Sequence, residues 1–173
     1  MSGNTCTSGT GSAALPSASV NGSTLTIGAA GFNSGQFRHP AGIAADMSGN
    51  IYVADTINNR IQKFDASGKF LAQTGGPGGT VQFNQPWDLA VDPAGNVFVA
   101  DTWNHRIVRL DKDLHQVATW GQGTPAGGPT SPLDLYGPRS IALDGAGNVW
   151  ITDTGNARVI EYDANGKPIQ VVG

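Results

Sequence analysis

The chain has 173 residues, the length of one domain, and its 25 glycines, 10 prolines and 13% charged residues suit many short strands and turns rather than long helices. A formal net charge of −3 argues against a polyanionic partner, and no run of about 18 apolar residues exists that could cross a bilayer as a helix. The single cysteine, Cys6, excludes an internal disulfide and says little about compartment.

Residues 1–19 are rich in Ser, Thr, Gly and Ala and have neither the basic start nor the apolar middle of a signal peptide, so they read as a flexible linker. The polar linker and the lack of internal cysteines lean toward a secreted or cell-surface setting. Residues 20–31, VNGSTLTIGAAG, resemble the closing stretches SGKFLAQTG (67–75) and NGKPIQVVG (165–173), which predicts an outer strand with no sheet of its own.

From there the sequence repeats. GNIYVADTINNRIQKF (49–64) returns as GNVFVADTWNHRIVRL (95–110) and GNVWITDTGNARVIEY (147–162), with Asp55, Asp101 and Asp153 set 46 and 52 residues apart. A repeat this plain makes each copy one supersecondary unit that stacks on its neighbours, and the spacing suits propeller blades. Ile51 to Ala54, Val97 to Ala100 and Val149 to Thr152 are β-branched, aromatic or small on both alternating faces, so these strands should be covered on both sides. The motif Asp-Thr-x-Asn-x-Arg then predicts a tight reversal into a second, wetter strand. Inner strands are expected at residues 42–45, 88–91 and 140–143, with turns opened by Asp46, Asp92 and Asp144. The units run from about 37 to 75, 83 to 121 and 135 to 173, and the longest insertion, residues 122–134, is a loop where binding could reside.

The unit GQFRHPAGIAADMSGNIYVADTINNRIQKFDASG (35–68) resembles the NHL-repeat family almost throughout, and the copies from Phe83 and Leu135 follow it with local departures. The resemblance implies an all-β fold of four-stranded antiparallel blades arranged as a propeller, usually of six blades. It fixes function far less, since the family includes RNA-binding, protein-binding, sensor and a few enzymatic propellers. Three blades cannot surround an axis when propellers need about four to eight. The bare outer faces of the first and last blade predict that two chains meet head to tail around a twofold axis as a closed six-bladed homodimer. The strand near Leu25 would either clasp that junction or lie as an unpaired tail.

Positions alike in all three copies should serve the fold: the pairs Asp55 with Arg60, Asp101 with Arg106 and Asp153 with Arg158, and Asn58, Asn104 and Asn156, which suit left-handed turn conformations. Positions that differ collect at one end, because the loop after the second strand and the loop entering the next blade fall together. His39, Trp87, Asp88, Trp103, His105 and Arg139 are accordingly the candidate ligand-binding residues, for a protein, peptide or glycan. The alternative for the tryptophans is packing between blades, and for the whole chain a self-assembling structural fragment without a ligand. An enzyme is not expected, nor a cofactor or metal. His39, His105 and His115 could be imagined around zinc, but His115 belongs to the opposite end, and the lyases among similar propellers carry histidines where this chain has Trp87 and Ser140. No nucleic-acid partner is expected, since basic residues are outnumbered by acidic ones and three arginines go to the repeated pairs.

Overall fold

A computed structural model describes residues 19–21, 24–123 and 128–173. Three four-stranded antiparallel sheets follow one another along the chain in simple up-and-down order. Blade 1 comprises Pro40–Ala45, Ile51–Asp55, Arg60–Phe64 and Phe70–Gly75. Blade 2 comprises Pro86–Val91, Val97–Asp101, Arg106–Leu110 and Gln116–Trp120. Blade 3 comprises Pro138–Leu143, Val149–Asp153, Arg158–Tyr162 and Pro168–Val172. The inner strands begin two residues earlier than the sequence suggested, at the prolines. A proline suits a first strand position, where its missing N–H takes nothing from the ladder; a bulge follows each of them.

The second strand of blade 2, Val97–Asp101, is buried along its whole length. Its two faces build two separate cores. Val97 and Val99 pack with Leu89, Val108 and Leu110 against Tyr52, Ala54 and Ile61 of blade 1. Phe98 and Ala100, with Ile107 and Trp120, pack against Ile141, Val149, Ile151 and Ile160 of blade 3. Each such Val, Leu, Ile or Phe side chain contributes about 1.5–3 kcal/mol on burial, which is what makes neighbouring blades cohere. The outer faces of blades 1 and 3 lack this cover: Ile43 is 69% and Val172 54% exposed.

The stretch predicted as one outer strand is divided. Ser19–Asn21 and Thr24–Thr26 pair as an antiparallel ribbon, and Ala29–Ala30 pairs in parallel with Gln36–Phe37. The same parallel pairing recurs between Gln122–Gly123 and Asp134–Leu135, the ends of the long connection into blade 3. Most of residues 1–19, and residues 124–127 within the long connection, lie outside the described residues.

Candidate functional site

The loop end of the molecule is organised by the repeated aspartates. Each closes a second strand, and its side chain reaches over the following reversal. Arg60 Nε donates to Asp55 Oδ2 at 2.7 Å, Arg106 Nε to Asp101 Oδ2 at 2.7 Å and Arg158 Nε to Asp153 Oδ2 at 2.8 Å. The other oxygen takes the backbone N–H of the loop entering the same blade, from Arg38, Asn84 and Tyr136 respectively. One buried carboxylate thus fastens both loops of its blade, and its charge is matched by the guanidinium.

The reversal itself is a short 3-10 turn. Asn58, Asn104 and Asn156 are not its left-handed residues, contrary to expectation. Their amides donate to the same aspartates at 2.8 Å, and the left-handed position is the next one, Asn59, His105 and Ala157, with φ of 54°, 55° and 52°. The helical turn needs a residue of positive φ to end it, whereas the side chain that ties it to the aspartate must sit one step earlier, inside the turn.

At that left-handed position the side chains reach the next blade. Asn59 Oδ1 accepts from the Gln85 N–H at 2.7 Å, and His105 Nδ1 accepts from the Gly137 N–H at 3.0 Å. His105 is therefore the tautomer with its proton on Nε2. Its ring stacks on Tyr136, with centroids 5.0 Å apart and planes 18° apart, and meets the edge of Trp103 at 6.5 Å. Trp103 Nε1 donates to Gln85 Oε1 at 2.9 Å, which holds the indole upright while 43% of the residue stays exposed. Tyr136, 48% exposed, completes a partly exposed aromatic row.

Trp87 and Arg139 form a second group, with the guanidinium 4.8 Å from the centre of the indole. They occupy equivalent positions on adjacent inner strands, so this stack also joins two blades. Asp88 lies beside them, and its oxygens accept from Leu89 N–H, Ser140 Oγ and Ile141 N–H, at 2.9, 3.0 and 3.1 Å. That makes it a tie between the inner strands of blades 2 and 3. His39 is exposed with φ of 58°, at the position of Gln85 and Gly137.

Of the six candidates, then, Trp103 and His105 come together, Trp87 and Arg139 come together, and Asp88 bridges strands. Tyr136 and Gln85 join the first group without being among the six. Comparing the residues before the blade-opening prolines, Arg38 and His39 with Asn84 and Gln85 and with Tyr136 and Gly137, contains the signal for both. A cleft of about 380 Å³ opens between blades 1 and 2, lined among others by Phe32, Ile57, Asn59, Arg60 and Pro77.

Charge of both signs gathers at the far end, where Lys69, Lys112 and Lys167 share turns with acidic residues. Six turns at the far end are opened by Asp46, Asp65, Asp92, Asp111, Asp144 and Asp163, each accepting backbone N–H groups of its own turn. Hydrogen bonds hold several below the usual carboxylate range: Asp65 through the Ser67 hydroxyl, Asp111 through the His115 N–H and Asp163 through the Lys167 N–H. At the loop end the three repeated aspartates are cancelled by arginine, while Arg38 and Arg139 are exposed. Arg38 lies 5.0 Å from the centre of the exposed Phe32 ring. His115 sits in a far-end turn, so the three histidines do not converge, and among the described residues no cluster of three metal-ligating side chains occurs.

Blades of four antiparallel strands packed face to face define a propeller-type repeat protein. The NHL repeat family model matches residues 37–64, 83–110 and 135–162, one match per blade, and the chain is an NHL-repeat protein. It is 30% identical over 147 residues to "Protein brain tumor" of Drosophila melanogaster, covering 85% of this chain and 14% of that protein. It is 49% identical over 47 residues to "B-box type zinc finger protein ncl-1" of Caenorhabditis elegans, covering 27% of this chain and 6% of that one. The chain therefore spans a small part of the curated relatives it matches. Among solved structures it resembles a streptogramin B lyase, with a TM-score of 0.58 and 20% identity over 75% of this chain and 39% of the lyase. It also resembles the hydrazine synthase of Kuenenia stuttgartiensis, with a TM-score of 0.60 and 13% identity over 76% of this chain and 35% of the other. At these identities the likeness is one of fold.

Proposed function

We propose that the chain is a non-enzymatic interaction module, which assembles as two copies into a six-bladed ring and presents its loop end to a protein, peptide or glycan. The observation that carries the binding reading is the row Trp103, His105 and Tyr136: two exposed rings held on a third whose orientation is fixed by a backbone hydrogen bond. Pre-oriented aromatics lose little entropy on binding and dominate recognition surfaces. The ring is supported by the bare apolar faces at both ends of the blade stack, of the kind that the two internal junctions bury.

Peptide and glycan arrays probed with the labelled protein, beside Trp103→Ala and Tyr136→Ala, test the first part. Hits lost in both variants are expected; hits retained by both would refute the aromatic row. Light scattering over a dilution series tests the second, with a species near twice 17.8 kDa expected.

A second reading is favoured by two exposed guanidiniums set beside aromatic rings. At the loop end Arg38 lies beside Phe32 and Arg139 beside Trp87, which suits single-stranded RNA by stacking and phosphate contact. Filter binding with single-stranded RNA at low and moderate salt separates the two. Salt-sensitive binding at micromolar or tighter affinity, lost in Arg139→Ala, would replace the protein or glycan partner.

A further inference from the structure

Two segments of this chain fit one place. At the junction of blades 1 and 2, Gly75 is enclosed from two sides: a Cβ there would meet Phe83 of the next blade and the backbone of Asn59 and Arg60 in its own. Gly121 repeats this at the next junction, between Leu135 and the backbone of His105 and Arg106. Gly28 makes only the next-blade half of the contact, against Phe37, and Gly173 only the own-blade half, against Ala157 and Arg158. All four have positive φ, so the backbone turns alike in each. The strand that runs into Gly28 is likewise placed as a fourth strand. Leu25 and Ile27 line a groove with Phe37, Ile43 and Ile51, where Ala118 and Trp120 pack on Leu135, Ile141 and Val149 in the complete junction.

We infer that when blade 3 of one copy seats on blade 1 of another, residues 24–27 of the second copy replace Pro168–Val172 as the fourth strand of that blade. This rests on the two-chain ring: without exchange, both strands would claim the same space. The ladder hydrogen bonds lost and gained are alike, so side chains decide. Leu25 and Ile27 are both apolar, whereas the resident strand offers Gln170 and Val172 at those two positions; the exchange gains a leucine where blade 2 has Ala118 and gives up the bond from Gln170 Nε2 to Glu161 Oε2 at 2.7 Å, while Asn148 Nδ2 keeps the other carboxylate oxygen paired. The incoming segment is also anchored, with Gly31 N–H donating to Phe37 O and Asn58 Nδ2 to Gly31 O, both at 3.0 Å.

Cysteine pairs in a Cys6→Ser background test the exchange. Val159 faces Val172 within blade 3, a cross-strand spacing that a disulfide can span, so Val159→Cys with Val172→Cys locks the resident strand. Ile27→Cys with Val159→Cys traps the exchanged one, by analogy with the pairing of Ile107 and Trp120. The unaltered chain is expected to dimerise, the oxidised lock to self-associate at least about tenfold more weakly until reduced, and the trap to form a disulfide-linked dimer. An oxidised lock that dimerises as tightly as its reduced form overturns the exchange and leaves the ring standing. A chain that stays monomeric throughout overturns both. Should the lock fail to fold, a dimeric trap variant without an interchain disulfide would overturn the exchange by itself.

Discussion

The buried aspartates allow one perturbation at three equivalent sites. Replacing Asp55 by Ala removes the acceptor for Arg38 N–H, Asn58 Nδ2, Arg60 Nε and Gln62 Nε2. The guanidinium of Arg60, with a side chain only 4% exposed, is then left without its carboxylate. Breaking a buried ion pair from one side costs about 3–5 kcal/mol, most of it the uncompensated charge. Arg106 and Arg158 differ in cover, with side chains 25% and 11% exposed, so water relieves their loss in part. The expected order of destabilisation is Asp55→Ala, then Asp153→Ala, then Asp101→Ala. Urea unfolding followed by tryptophan fluorescence measures it; with a slope of about 2 kcal/mol per molar, the Asp55 variant should lose roughly 1.5–2.5 M from its midpoint. Losses under about 1 kcal/mol at all three sites, or an order that ignores the exposure of the arginine, would refute the claim that one desolvated carboxylate holds each pair of loops.

His105 should tolerate Asn far better than Ala. Asn at the equivalent site already accepts the corresponding N–H, so His105→Asn is expected within about 0.5 kcal/mol of the parent, whereas His105→Ala orphans the buried Gly137 N–H at about 1–3 kcal/mol. Thermal melts of the two variants check this, and equal melting points would sink it. Acid should destabilise the fold. The side chains of Gln122 and Thr130 hold Asp134 far below the ordinary carboxylate range, and hydrogen bonds lower Asp65, Asp111 and Asp163. Their stabilisation is full above the unfolded value of about 4 and is lost as pH falls through the folded values, because the unfolded chain then binds more protons. Unfolding midpoints that stay constant between pH 5 and pH 2 would contradict it.

The sequence by itself determined the blade. Strands apolar on both faces demand cover from two sides, and Asp-Thr-x-Asn-x-Arg repeats because each copy must solve the same local problem of ending a strand, turning and compensating a buried charge. Local chemistry of that kind is legible wherever it recurs. Even so, the repeat hid which asparagine turns: Asn58 and Asn59 stand side by side, and only the backbone tells which has positive φ and which bonds the aspartate. What the tertiary structure alone decided lies between blades. The stacking of Tyr136 on His105, the arginine over Trp87 and the bonding of Asp88 to blade 3 each join residues about 30 to 53 positions apart. No spacing in the sequence encodes those meetings. They follow from the angle at which one twisted sheet packs on the next, which is a property of the assembled blades and not of any one of them.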